Sequence, residues 1–162
     1  MVIVVMGPAG AGKSTVGRAL AATLGWRFVD GDDHHPPGNV AKIAAGTPLT
    51  DADRAGWLDA LHAIIVRALE RREPAVLACS ALTAVYRRRL ADEMRHVRFV
   101  YLKTPRSVLL DRLQRRTGHF AKASILDSQI ATLEEPGDEA LSVDGAADIE
   151  TIVGHIRLEF GV

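Results

Sequence analysis

The chain has 162 residues, 48% hydrophobic and 25% charged, which suits one folded domain with a sizeable core. Lys plus Arg and Asp plus Glu number 20 each, and aromatics are only 5%, so neither a basic field nor a stacking groove for nucleic acid or an anionic membrane is expected. A single cysteine, Cys79, excludes an internal disulfide and fits a reducing cytoplasm, and no apolar run nears the roughly 18 residues of a membrane span.

Short apolar runs alternate with helical patterns, which predicts an α/β fold with a parallel sheet covered by helices. Val2–Met6 reads as a buried strand; it lacks a basic n-region and so does not read as a signal peptide. Val16, Leu20 and Leu24 then mark one helix face. Arg27–Asp30 is the next predicted strand. Residues 31–71 are too long for a simple crossover and carry a His/Pro/Gly-rich loop over 34–38, so they read as a functional insertion. Within them Thr50-Asp51-Ala52-Asp53 resembles a capping box, ahead of a long helix whose apolar face is Trp57, Leu58, Leu61, Ile64, Ile65 and Leu69. Ala75–Cys79 and Arg98–Leu102 are further strands. Thr104-Pro105 predicts a helix with a threonine N-cap and proline at its first position. A basic, Gly-interrupted stretch over 115–124 reads as a second insertion, with a helix beginning near Ala123. Ala140–Val143 is a weaker strand, and Ile149, Ile152, Val153, Ile156 and Phe160 form the stripe of a last helix.

The richest motif is Gly7-Pro8-Ala9-Gly10-Ala11-Gly12-Lys13-Ser14, a complete phosphate loop in its required strand–loop–helix setting. The glycines let successive N–H groups turn inward towards phosphate oxygens, and the helix start adds partial positive charge. Lys13 can neutralise the β- and γ-phosphates, and Ser14 can ligate Mg²⁺, so the expected cofactors are ATP and Mg²⁺. Thr15 completes the nucleotide-holding set.

The second predicted strand ends in Asp30-Gly31-Asp32-Asp33-His34-His35-Pro36. A phosphoryl transferase needs one carboxylate on the metal side and another to accept the proton of the attacking hydroxyl. Asp30 and Asp32 lie two apart and would share a face in extended backbone. An acidic turn or a transition-metal site from His34 and His35 are the alternatives, though adjacent histidines lack typical zinc spacing. Arg54, in the first turn of the long helix, sits where a cation opposes the helix dipole, and an anionic substrate would compensate; a solvated arginine is the bland alternative. Ser80, after the third strand, can meet substrate oxygens, whereas Cys79 reads as a small buried hydrophobe. The arginines Arg112, Arg115 and Arg116, with His119 beyond, suit a lid that covers ATP and stabilises transition-state charge; a solvated basic helix end is the alternative.

These segments together resemble the bacterial-type gluconate kinase family, the small phosphate-loop gluconokinases. The likeness runs from Met6–Ser14 through Asp30–Pro36, Asn39, Lys42, Gly46–Arg54 and Trp57-Leu58. It continues through Cys79–Leu82, Tyr86-Arg87, Val100–Lys103, Arg112-Leu113, Arg116, Gly118–Phe120, Gln129 and Leu133–Pro136. The chain departs from the family pattern at Thr83, where lysine is usual, and at Ala121, where an aromatic is frequent. The resemblance implies ATP-dependent phosphorylation of D-gluconate at its 6-hydroxyl by a cytoplasmic homodimer. It implies a phosphate-loop NTPase three-layer sandwich similar to shikimate and nucleoside monophosphate kinases. Its five-stranded parallel sheet would have the order 2-3-1-4-5, with a substrate-binding insertion over 31–71 and a lid over 115–124 in one domain, 1–162. By likeness to shikimate kinases, Asp30 would serve the metal, Asp32 the acceptor hydroxyl and Arg54 the substrate carboxylate; His35, Ser80 and His119 are further expected substrate-binding residues. Lys13, Asp32 and Arg116 would carry catalysis, and Ser14 with Asp30 the metal. Other expectations in play are a kinase for a different small hydroxy acid such as shikimate, or a nucleotide-dependent switch without transfer activity.

Overall fold

A computed structural model describes residues 1–92, 94–115 and 121–162, with the backbone alone for 121–124. Five strands, β1 (Val2–Met6), β2 (Arg27–Asp30), β3 (Ala75–Ala78), β4 (Val97–Lys103) and β5 (Ala140–Asp144), form one sheet of order β2-β3-β1-β4-β5. Every adjacent pair is parallel, with Val4 aligned to Leu77 on one side and Phe99 on the other. This is the strand order and direction implied by the family resemblance.

Alternation along β1 builds two cores. Val2, Val4 and Met6 face one layer with Leu77, Phe99, Trp57, Leu58, Leu61, Ile65 and Leu90. Ile3 and Val5 face the other with Val76, Val100, Leu102, Leu20, Leu109, Ile152 and Ile156. A central strand covered on both faces has no polar side, which is why Val2–Met6 is an unbroken apolar run.

The first layer is α3 (Asp51–Glu70) and α4 (Ala84–Ala91); the second includes α1 (Lys13–Leu24), α5 (Arg106–Arg115), α6 (Ala121–Thr132) and α7 (Ile149–Phe160). The capping box opening α3 is present: Thr50 Oγ1 accepts from Asp53 N–H, and Asp53 carboxylate accepts from Thr50 N–H.

Three local expectations are revised. The loop expected over 34–38 is only His35-Pro36: a 3-10 turn over Gly31–His34 leads through them into a helix, α2 (Pro37–Ala44). Proline is tolerated there because the first helical N–H groups have no intrahelical acceptor. Helix α5 begins one residue later than the Thr104-Pro105 signal suggests. The Pro105 carbonyl accepts from Leu109 N–H, while the Thr104 hydroxyl donates back to Leu102 O at 3.2 Å instead of capping. The helix expected near Ala123 begins at Ala121.

Candidate active site

Parallel strands all deliver their carboxyl ends to one edge, and the loops after β1, β2 and β3 meet there. The phosphate loop follows β1. Its backbone needs φ +83° at Gly10 and +97° at Gly12, a region that side chains disfavour, and a Cβ on Gly10 would lie 2.8 Å from Leu109 O. Helix α1 starts at Lys13 with Gly12 as its N-cap and no side-chain cap or acidic residue in its first turn. The positive dipole end of an uncapped helix favours an anion there. Lys13 Nζ arches back over the loop to Pro8 O at 3.0 Å.

From β2 the chain enters the 3-10 turn. Asp30 is its N-cap, the carboxylate accepting from Asp32 N–H at 3.3 Å and lying 3.8 Å from the Arg18 guanidinium. Asp30 and Asp32 thus do not share a face of an extended strand. Asp32, not Asp30, lines the cleft beside the phosphate loop.

That cleft has a volume of about 560 Å³, within the range of small-molecule sites. It brings together Gly10, Gly12, Lys13 and Ser14 of the phosphate loop with Asp32, His35, Arg54 and Ser80. An apolar wall comes from Val40 and Ile43 of α2 with Leu49, facing Leu113 and Ile125. Arg54 has a side chain only 13% exposed; its Nη1 donates to the Tyr86 hydroxyl at 3.4 Å and lies 3.7 Å from Asp51. The Tyr86 hydroxyl donates in turn to Asp51. Burial and this carboxylate raise the Tyr86 pKa, so it stays a protonated donor. Asp51 thus supplies part of the compensation that a cation in the first turn of α3 calls for.

Trp57, 1% exposed, ties the 3-10 turn to α3. Its Nε1–H donates to Gly31 O at 2.7 Å, and its ring stacks on His35 with centroids 4.3 Å apart. Lys42 of α2 pairs with Asp53 at 2.7 Å, and this pair with the capping hydrogen bonds holds the Asp53 pKa down at about 2. Burial pushes the Cys79 thiol up to about 12, so it packs as an inert hydrophobe.

Arg112 does not line the cleft. Its Nη1 donates to Ala11 O at 3.2 Å and Gly145 O at 2.9 Å, tying the phosphate loop to the segment after β5. From α6, Gln129 Oε1 accepts from Ala9 N–H at 2.6 Å, which links that helix to the phosphate loop. Arg116 and His119 lie outside the described residues, as does half of the predicted lid. Thr83, the departure from family pattern, is the N-cap of α4 and accepts from Tyr86 N–H at 3.2 Å.

Among the described residues no group of three or more His, Cys, Asp or Glu side chains is disposed to hold a metal. His34 and His35 therefore do not form the transition-metal alternative there. The hard hydroxyl oxygen of Ser14, with Asp30 acting through water, suits Mg²⁺ shared with phosphates. Sequence reasoning missed the cleft roles of Trp57, Val40 and Ile43. The spacing of Val40, Ile43 and Ala44 was the available signal for α2, but eight residues give a weak period.

Set against known proteins, the chain is 46% identical to a gluconokinase of Gluconobacter oxydans, covering 97% of this chain and 92% of that protein. The chain belongs to the gluconokinase family. Residues 2–136 also match the family profile described as an AAA domain. The crystal structure of a gluconokinase from Sinorhizobium meliloti superposes with a TM-score of 0.84 at 42% identity, covering 99% of this chain and 94% of that one. A shikimate kinase from Aquifex aeolicus, at 18% identity and a TM-score of 0.57 over 99% of this chain and 96% of that one, shares the fold. Among the described residues no helix is long and apolar enough to cross a membrane.

Proposed function

We propose that this protein phosphorylates D-gluconate at its 6-hydroxyl with ATP, giving 6-phospho-D-gluconate and ADP. The observation that carries the reading is convergence. In a chain of this family, the phosphate loop, Asp32, His35, Arg54 and Ser80 all open into one cleft.

The N–H groups at the start of α1, with Lys13, hold the β- and γ-phosphates. Residues 31–71 supply the acceptor site: Arg54 meets the gluconate carboxylate, and His35 and Ser80 meet hydroxyls. Asp32 accepts the proton of the 6-hydroxyl as its oxygen bonds to the γ-phosphorus and the bond to the β–γ bridging oxygen breaks. Ser14 would hold Mg²⁺ directly and Asp30, outside the cleft, through water; the ion would neutralise phosphate charge when bound. Lid residues 115–124, with Arg116 and His119, cover the nucleotide and exclude water. Arg112 serves the nucleotide through the loop carbonyls it braces. A single domain, a cytoplasmic setting and a homodimer complete the reading, on the family resemblance and the reduced, buried Cys79.

The test is coupled ADP release with Mg-ATP across D-gluconate, shikimate, AMP and no acceptor. Turnover with gluconate alone is expected; turnover with shikimate or AMP instead overturns the acceptor assignment, and acceptor-independent behaviour overturns the transferase reading. Asp32→Asn is expected to slow the chemical step roughly 10²- to 10⁴-fold, with ATP binding retained. Unchanged single-turnover rates would remove Asp32 from the proton-accepting role.

A further inference from the structure

Asn39 on α2 is a polar side chain only 5% exposed, set between the acceptor cleft and the start of α3. Its Nδ2 lies 2.8 Å from the Asp53 backbone oxygen. A carbonyl oxygen can only accept, so this end of the side-chain amide must be its NH₂ group. The same Nδ2 lies 3.3 Å from His35 Nδ1. Two donors do not face one another across a hydrogen bond, so Nδ1 of His35 is the bare nitrogen and accepts. The ring's proton therefore sits on Nε2. Stacking on Trp57, itself pinned through Gly31 O, fixes the plane of the ring.

We propose that Asn39 is a positioning residue that holds His35 as the neutral imidazole protonated at Nε2, giving the acceptor cleft one fixed N–H donor for a substrate hydroxyl. The charged groups acting on the ring are Asp32 from the 3-10 turn and Arg54 from α3; the Asp53 carboxylate is engaged by Lys42 and Thr50. Burial lowers the His35 pKa and outweighs the opposing pull of Asp32, with Arg54 adding to the lowering. The chemistry gains from neutrality. An imidazolium beside Asp32 would stabilise the carboxylate and weaken it as a proton acceptor. It would also add a second cation to compete with Arg54 for the acceptor's carboxylate. A neutral N–H donor orients a hydroxyl with neither effect.

The inference rests on the gluconate reading for its kinetic consequence but not for the tautomer, which ¹⁵N NMR of histidine-labelled full-length protein measures without substrate. His35 is assigned by its loss in His35→Gln. At pH 7 the wild-type ring is expected with bare Nδ1 and protonated Nε2. A ring protonated at Nδ1, or doubly protonated, overturns the proposal. Asn39→Asp replaces the amide donor by a carboxylate acceptor. It should pull the proton to Nδ1, raise the His35 pKa by about one unit or more, and move the acid limb of kcat/KM for gluconate by the same amount. The KM for ATP should stay within about twofold, since a shift confined to the acceptor site leaves nucleotide binding alone. A raised His35 pKa with an unmoved acid limb also overturns the proposal. Where Asn39→Asp fails to fold, the wild-type spectrum decides alone. Absence of gluconate turnover in the wild type would instead refute the substrate assignment and leave the tautomer result standing.

Discussion

Arg87→Met tests whether a buried guanidinium, remote from the phosphates, holds the acceptor wall in place. Arg87 is 4% exposed. Its Nη1 donates to Ala81 O at 3.2 Å, Leu82 O at 3.2 Å and Glu134 O at 3.0 Å, and its Nη2 pairs with Glu139 at 2.8 Å. These bonds clamp the turn after β3, where Ala81 sits at φ +42°, a conformation costing roughly 1–2 kcal/mol for a residue with a Cβ. Methionine keeps much of the volume and removes every donor. The Leu82 oxygen retains a second donor in Glu134 N–H at 2.9 Å. The Ala81 and Glu134 oxygens lose the donor that Arg87 provides, at roughly 1–3 kcal/mol each. Relief of the buried charge offsets part of this. The net expectation is about 2–4 kcal/mol of lost stability, read from the midpoint and slope of urea unfolding. Because Ser80 lines the cleft and its carbonyl accepts from Gly7 N–H at 3.3 Å, the gluconate KM should rise with the loss. Arg87→Lys should fall between, since an ammonium reaches only part of the set. A Met variant within about 0.5 kcal/mol of wild type, the range of an ordinary surface substitution, would refute the clamp.

Two further outcomes follow from the site. The depressed Asp53 pKa is a folded-state property, so its contribution to stability is present above the unfolded value of 3.8 and is lost as pH falls through about 2. Thermal unfolding should accordingly weaken between pH 4 and 2, and Asp53→Ala should flatten that limb; an unchanged limb in the variant would show that the α2–α3 clamp is not the titrating element. Gln129→Ala removes the acceptor on Ala9 N–H and with it the tether from α6 to the phosphate loop. About 1 kcal/mol for one hydrogen bond predicts roughly a fivefold rise in the ATP KM with a smaller effect on kcat, and steady-state kinetics showing equal KM values would disprove the tether.

What could be read from the chain differs by the range of the physics involved. The phosphate loop was legible because its chemistry is backbone chemistry: Gly10 and Gly12 declare the positive φ values that the structure shows. Strands β1 and β3 were legible because burial on both faces leaves no alternation, and the Thr50–Asp53 capping box because it closes over three residues. Asp30 and Asp32 were legible as a pair but not in their geometry. Their shared face presumed extended backbone, and Asp30 instead caps a 3-10 turn through Asp32 N–H. Helix α2 stayed hidden because Pro36-Pro37 reads as a breaker, although a proline at the first turn starts a helix as readily as it ends one. Arg112 was read as a group over ATP, yet its guanidinium meets loop carbonyls about a hundred residues away in sequence, a choice of direction that no local pattern encodes. Trp57 shows the limit most clearly. Its place in a helical stripe announced a core residue, and it is one at 1% exposure. That same burial presents its Nε1–H to Gly31 and its ring face to His35, so one core side chain orients both the turn carrying Asp32 and the imidazole beside it. Packing and positioning are one interaction there, which is why a reading that sorts residues into core and site undercounts the site.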